Sequence, residues 1–577
     1  VQNSEQKDKT MMGLSRKRLL APALVGGLAL VGSLVPAAHT SAQSGPIYLT
    51  TYQNFKTTMV RDFNVFDPAG RMDFTDFGIY EPMMIINVPP ATNGKTFPWL
   101  ATSYAWSNGN KTLTFTIRNG VKWSDGVPFT AQDVAFTFNY GKQHPAADQQ
   151  GLFAKPAQLA SVAASGNQVV FNLTTVNTTI LRRIANLTLI IPQHIWSKVA
   201  NPSTFTNPNP VGTGPFTQVT DFTPQGYTLA KNPYYWQPLS FDGIHVPSFA
   251  TNDAALIANA AGQLDQTGNF IPGCGQAYAA KDAAHFVCDY TTVGPVALWF
   301  NDQQYPYSMP AFRKAVSNAI DRQKLYTIAE YGYEPPADAL GVLGPWPLWA
   351  DPSLTAQAKA MAAYDPAKAK AALLAAKFSY KGNTLLDPNG NPVNLTLNVI
   401  NGWSDWDLGM QIVQKDLKAI GINATVNLMT QPAWFSGTAT GTLPGADGQF
   451  HWVTTTDTPY DYFEGFMSQE SFTPIGTDAT LTGTDNFERY VSQPASQLLQ
   501  QFRQTSDSAT QHQLMDKVEA IFLQDLPIIP LVYSADWSTY STLHFTGWPT
   551  NANRYTSSSV NDTWARLKVW TSLKPVQ

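Results

Sequence analysis

Apolar and polar positions alternate with a period of two over 112–117, where threonines separate Leu113, Phe115 and Ile117, and this predicts a half-buried strand. Asn119-Gly120 supplies a tight turn after it, and Ser124-Asp125-Gly126 a second. Thr130 stands three residues before Asp133, ahead of Val134, Phe136 and Phe138; that spacing is a capping box and predicts a helix start. The run IYLTTYQN at 47–54 reads as an opening strand. VGTGPF at 211–216 is glycine-rich, but a phosphate loop needs a Lys-Ser/Thr pair opening a helix. Here Pro215-Phe216 leads into strand-like sequence, so a turn where two elements cross is expected instead.

Longer patterns follow. Phe312, Val316, Ala319 and Ile320 recur at helical spacing after Pro310, with Ser308 as the expected N-cap. Asp321 is placed to cap a second helix that stops at Gly332. NLTLNVI at 394–400 is β-rich, the next segment carries Ile412, Val413, Leu417 and Ile420 on one face, and NATVNLM at 423–429 is β-rich again. Strand, helix, strand in that order predicts a right-handed parallel crossover. A helix is predicted over about 512–522, before LPIIPLVYS at 526–534. Pro527 and Pro530 in that run point to an edge or cross-domain segment, not a central strand.

A chain of 577 residues exceeds one ordinary core, because domains cluster near roughly 100–200 residues. Charged residues make up 14% and aromatic residues 12%, with a formal net charge of -4, which gives no footprint for nucleic acid or an anionic membrane surface. The eight histidines are scattered, none paired at i, i+3 or i+4, which argues against a nickel site. Arg16, Lys17 and Arg18, the apolar LLAPALVGGLALVGSLVPAA and the small residues Thr40-Ser41-Ala42 have the layout of a secretory signal peptide, so 1–42 is read as signal peptide and start region. A membrane anchor is the rival, weakened by Pro22, Pro36 and the glycines. No Cys stands at the junction to carry acyl chains, and a free exported protein, periplasmic or extracellular, is expected. In such an oxidising compartment Cys274 and Cys288 are favoured as a local disulfide over two free thiols.

Several stretches together resemble the solute-binding proteins of ABC importers, in the group that includes oligopeptide, dipeptide, nickel and cello-oligosaccharide binders (extracellular solute-binding family 5). They are LATSYAW at 100–106, TFTIRNGVKWSDGVPFTAQDV at 114–134, VGTGPF at 211–216, KNPYYW at 231–236, AGQLD at 261–265, PAFRKAVSNAIDRQKL at 310–325 and LPIIPLVY at 526–533. The resemblance implies an α/β, two-lobed periplasmic-binding-protein-like fold of type II, with an extra subdomain inserted in the first lobe. It places a discontinuous first lobe at 43–78, 210–298 and 529–577, the inserted subdomain at 79–209 and the second lobe at 299–528. It also implies a monomer that closes on its solute by a hinge and delivers it to permease subunits, without a cofactor and without catalysis.

In open α/β sheets ligands sit outside the carboxyl ends of the parallel strands. The strand ending at Ile400 therefore places Asn401, Trp403 and Trp406 on a loop facing the crevice, where indole faces stack on a pyranose and Asn401, Ser404 and Asp405 supply hydrogen bonds at the rim. One indole of the pair has the alternative role of plugging the wall against the following helix. Trp434 in QPAWFSG is a weaker candidate, with Phe435 beside it suggesting packing. Peptide binders of the family hold the peptide amine with an Asp three residues after a Trp. Here Thr455 stands three after Trp452, with Asp457, Tyr460 and Asp461 nearby, which tilts the expected solute from peptide to oligosaccharide. A secreted glycoside hydrolase using Asp457 and Asp461 is the remote enzymatic alternative.

Overall fold

The computed structural model describes residues 45–52, 58–67, 70–86, 96–154, 157–443, 447–452, 458–482 and 486–576, with the backbone alone for 447–452, 481 and 482. The expected signal segment 1–42 and the candidates Thr455 and Asp457 lie outside the described residues, as does the side chain of Trp452. No described helix is long and apolar enough to cross a membrane.

Residues 46–577 form one compact unit built on two large sheets. A seven-stranded sheet runs in the order Phe286–Cys288, Thr539–Ser541, Gln266–Thr267, Tyr48–Tyr52, Gly243–Pro247, Gly226–Lys231, Phe216–Thr223. A five-stranded sheet runs Asn423–Met429, Asn394–Ile400, Asp447–Trp452, Thr291–Trp299, Ile528–Asp536. Each has its own core. One apolar cluster draws on Leu49, Ile79, Phe115, Phe216 and Trp570, the other on Leu298, Phe312, Leu397, Met410 and Leu531.

A separate four-stranded antiparallel sheet contains the predicted strand Thr112–Ile117 and carries helix Ala131–Gln143. The capping box is present: Gln132 N donates to Thr130 Oγ1 at 3.2 Å, and Thr130 N donates to Asp133 Oδ2 at 2.9 Å. The VGTGPF turn is the expected crossing. A Cβ on Gly212 would lie 2.0 Å from Ile79 O and one on Gly214 2.2 Å from Gly78 O, so only glycine lets these backbones meet.

The crossover is as read. Asn394–Ile400 pairs in parallel with Asn423–Met429, and helix Ser404–Ala419 connects them. Ile528–Asp536 is an edge strand, with Pro530 O accepting from the buried Arg322 Nε at 2.9 Å. Other boundaries differ. Met309, not Ser308, caps helix Pro310–Ala319, and it does so without a side-chain bond, because Pro310 at the first position already fixes the entry. Asp321 does accept from Lys324 N at 3.1 Å, but the helix after it widens into a turn over Leu325–Ala329 before Gly332. The helix expected over 512–522 extends to Ser508–Asp525, started by Asp507, which accepts from Thr510 N at 2.8 Å.

Among the described residues the chain passes between the two sheets twice. Phe286–Cys288 continues through Asp289 and Tyr290 into Thr291–Trp299, and Ile528–Asp536 continues through Trp537 and Ser538 into Thr539–Ser541. The passages run side by side, Asp289 N donating to Ser538 O at 2.9 Å. Arg554 locks the first of them through both carboxylate oxygens of Asp289, at 3.0 and 2.6 Å. Ser558 Oγ donates to the same carboxylate at 2.6 Å and lies 2.7 Å from Ser538 Oγ.

Candidate functional site: the crevice between two carboxyl edges

Tyr48–Tyr52 runs parallel to Gly243–Pro247 and to Gln266–Thr267, so the carboxyl ends of these strands share one edge. Asn394–Ile400 is parallel to both Asn423–Met429 and Asp447–Trp452, which gives the other sheet its own carboxyl edge. The two edges meet. Asn252, first residue of helix Asn252–Ala260, donates from Nδ2 to Ser404 Oγ at 3.3 Å, and a Cβ on Gly402 would lie 3.3 Å from Thr251 Cγ2. Gly275 N also donates to Tyr333 OH at 3.3 Å, and the Phe270 and Tyr331 rings lie 6.1 Å apart.

The segment after Ile400 divides its residues between crevice and core. Asn401 is exposed and its backbone N–H donates to Met429 O at 2.8 Å, extending the strand pair by one step. Trp403 is half-buried at the helix N-terminus. The helix starts earlier than the polar sequence suggested, at Ser404, which moves Asp405 and Trp406 out of the loop and into the first helical turn. Two acids in that turn favour the early start by meeting the positive helix end, and Asp407 Oδ2 also accepts from Gly402 N at 3.0 Å. Trp406 is 5% exposed and belongs to the second core, its ring meeting Trp403 edge-on at 5.1 Å. Trp434 is fully buried in helix Gln431–Thr440, edge-on to Phe435 at 5.2 Å. Tyr460 is likewise buried, stacked on Phe502 at 5.2 Å.

Around the first turn of helix Ser404–Ala419 the structure gathers three buried carboxyls that sequence reasoning only partly named: Asp405, Glu330 and Glu334. Glu334 Oε1 accepts from Ala535 N at 2.7 Å and from Ser534 Oγ at 3.1 Å, which ties it to the end of the crossing strand. Both oxygens of Glu330, Glu334 Oε2 and Asp405 Oδ1 accept no hydrogen bond among the described residues. Burial pushes the Asp405 carboxyl up to about 7 and the Glu334 carboxyl up to about 8; it raises Glu330 as well, with the neighbouring acids adding to the effect. The one signal in the sequence was the run Glu330-Tyr331-Gly332-Tyr333-Glu334, read only as a helix stop. An aromatic group flanks the passages between the sheets: Tyr290 meets Tyr333 and Trp537 edge-on, both at 4.9 Å, and Trp537 meets Phe270 at 5.0 Å. Cys274 and Cys288 are joined in a disulfide beside it, as favoured from the sequence.

Two sheets with facing carboxyl edges, joined by a double strand passage, make a crevice suited to enclosing a small molecule. Residues 95–473 match the family described as bacterial extracellular solute-binding proteins, family 5 Middle. The chain belongs to this family. The nickel-binding periplasmic protein of Escherichia coli K12 is 26% identical over 375 residues, a match that spans 61% of this chain and 66% of that protein. The glutathione-binding protein GsiB of Escherichia coli O1:K1 is 25% identical over 476 residues, spanning 81% and 84%. Among solved structures, the mannohexaose-bound periplasmic oligopeptide-binding protein of Thermotoga maritima superposes with a TM-score of 0.81 at 24% identity, covering 92% of this chain and 98% of that one. The fold of this family 5 protein is thus the two-lobed type II arrangement, one lobe on each large sheet. Proteins of the family are transport components that bind solutes outside the cytoplasm. Among the described residues no group of three His, Cys, Asp or Glu could hold a metal ion.

Proposed function

We propose that this protein captures a small polar solute, an oligosaccharide, between its lobes and delivers it to the permease of an ABC importer. The observation that carries the reading is Trp403: a half-buried indole at the carboxyl edge of one lobe, backed by the buried Trp406 and close to the residues that touch Thr251 and Asn252 of the other. An indole held from behind in this way offers a fixed apolar face for the C–H groups of a pyranose, while Asn401 and Ser404 supply polar groups at its rim. The interlobe contacts on either side of it suit a short oligomer enclosed by the lobes.

A second reading, a peptide or other amine-bearing solute, is favoured by one observation. The carboxyls of Glu330, Glu334 and Asp405 lie buried without a cation among the groups that perturb them, and an ammonium group would relieve that. Calorimetric titration against cello-, xylo- and manno-oligosaccharides and against di- to hexapeptides separates the two. Saturable binding of an oligosaccharide, little changed between low and high salt, supports the sugar; a peptide bound orders of magnitude more weakly at high salt supports the amine. Release of product sugars on prolonged incubation would refute the non-catalytic reading.

A further inference from the structure

The lobes also touch at a place remote in sequence from both strand passages. Arg183 opens the turn Arg183–Leu187, whose Ile184 and Ala185 belong to the first core, while Asp461 and Glu464 lie on helix Tyr460–Met467, which belongs to the second. Arg183 Nη2 donates to Asp461 Oδ1 at 3.5 Å and to Glu464 Oε2 at 3.4 Å. The Glu464 side chain is fully buried and that of Arg183 is only 10% exposed. Beside them Thr178 N donates to Arg503 O at 2.8 Å, and Thr178 Oγ1 is 3.2 Å from both Arg503 O and Thr505 O. Two independent segments of one lobe surface, 178 and 183, are thus bonded to two of the other, 461–464 and 503–505.

Each of these bonds joins one lobe to the other and is lost when the lobes part. The worth of such a bond is the difference between closed and open forms of the same chain. A guanidinium shared by two carboxylates, largely out of water, is a charge-assisted arrangement stronger than a neutral hydrogen bond. Removing the two acids leaves the Arg183 charge largely buried without its ion-pair partners, and removing Arg183 leaves the buried Glu464 with Ser471 Oγ as a remaining donor at 2.9 Å, so the closed form suffers in both cases. We propose that Arg183, Asp461 and Glu464, with Thr178 against residues 503 and 505, form a clasp that holds the lobes together before any solute arrives. The inference rests on the reading of the molecule as a closing binder, but not on which solute it takes. Arg183 is here a positioning residue: it raises the share of the binding-competent form, and apparent affinity scales with that share for every solute alike.

Small-angle scattering of the solute-free full chain tests this without a ligand. Arg183→Gln, and separately the pair Asp461→Asn with Glu464→Gln, are each expected to shift the closed-to-open ratio about tenfold toward open, read as a larger radius of gyration. Combining all three changes should add little to either alone, because all remove the same interaction, and Arg183→Lys should stay nearer the wild-type value. An unchanged radius of gyration in both Arg183→Gln and the acid-side pair overturns the clasp, as does full additivity of the two. Cooperative melting of each variant guards against misfolding, and the two sets lie on different lobes, so one failing to fold leaves the other decisive. Normal closure in a protein that binds none of the solutes tested would count against the proposed solute, not against the clasp.

Discussion

Replacing Trp406 by Ala separates the two indoles of the crevice wall. Trp406 is 5% exposed, inside the core of the second lobe, and edge-on to Trp403. Truncating a buried Trp costs about 3–5 kcal/mol, from lost transfer free energy plus the cavity left behind. In a lobe of this size each kcal/mol is worth about 2–4 °C, so its melting transition should fall by roughly 10 °C. Trp403 is half-buried, and Trp403→Ala should cost about a third as much. The chain has 16 tryptophans, which makes intrinsic fluorescence a poor reporter of one of them, and far-ultraviolet circular dichroism is the better melting assay. At a temperature where both variants are folded, Trp403→Ala should weaken binding of the best oligosaccharide at least tenfold and Trp406→Ala much less. A Trp406→Ala protein that melts with the wild type, or a Trp403→Ala protein that binds normally, would refute this division of labour.

Three further outcomes are expected. Glu334 and Asp405 carry folded-state pKa values raised by burial to about 8 and about 7, above their ordinary 4.5 and 3.8, so the folded chain binds more protons than the unfolded one between about pH 4 and 8. Their contribution to stability is complete at the acid end and is lost as pH rises through that window; a melting temperature measured across it should fall, and fall less steeply in Glu330→Gln, which removes a third carboxyl that burial also raises. Reduction of the Cys274–Cys288 disulfide, or Cys274→Ala with Cys288→Ala, opens a loop with a sequence separation of 14 and should cost about 3 kcal/mol in a urea titration. Gly214→Ala forces a Cβ to within 2.2 Å of Gly78 O and should destabilise the first lobe by about 3 kcal/mol or more, measured the same way, while Gly275→Ala, in open space and without a left-handed backbone, should cost far less.

What the sequence disclosed was local. Thr130 and Asp133, three apart, state their capping box in the spacing itself, and the crossover of 394–429 follows from a change of period. Pro527 and Pro530 marked an edge strand because an imino nitrogen cannot serve a central ladder. The site was legible only where it coincided with such patterns, at the carboxyl end of Asn394–Ile400. The start of the next helix was misplaced because Trp403, Ser404 and Asp405 look like loop, although acids at 405 and 407 are what a helix N-terminus favours. Contacts such as Asn252 with Ser404, or Arg183 with Glu464, join residues more than 150 positions apart, and no periodicity records them. Glu330 and Glu334 were missed for the same reason: they meet Asp405 only once the fold is formed.

The paired passages at 289–290 and 537–538 act as a door hung on two pins. One strand between lobes would let them swivel in any direction, whereas two, laced by Asp289 to Ser538 and braced by Arg554, restrict the ways in which they can turn. In the closing binder proposed above, such a frame brings Trp403 and Asn252 back to the same relative station, so the shape of the enclosed space is set by the frame and the solute has to fit it.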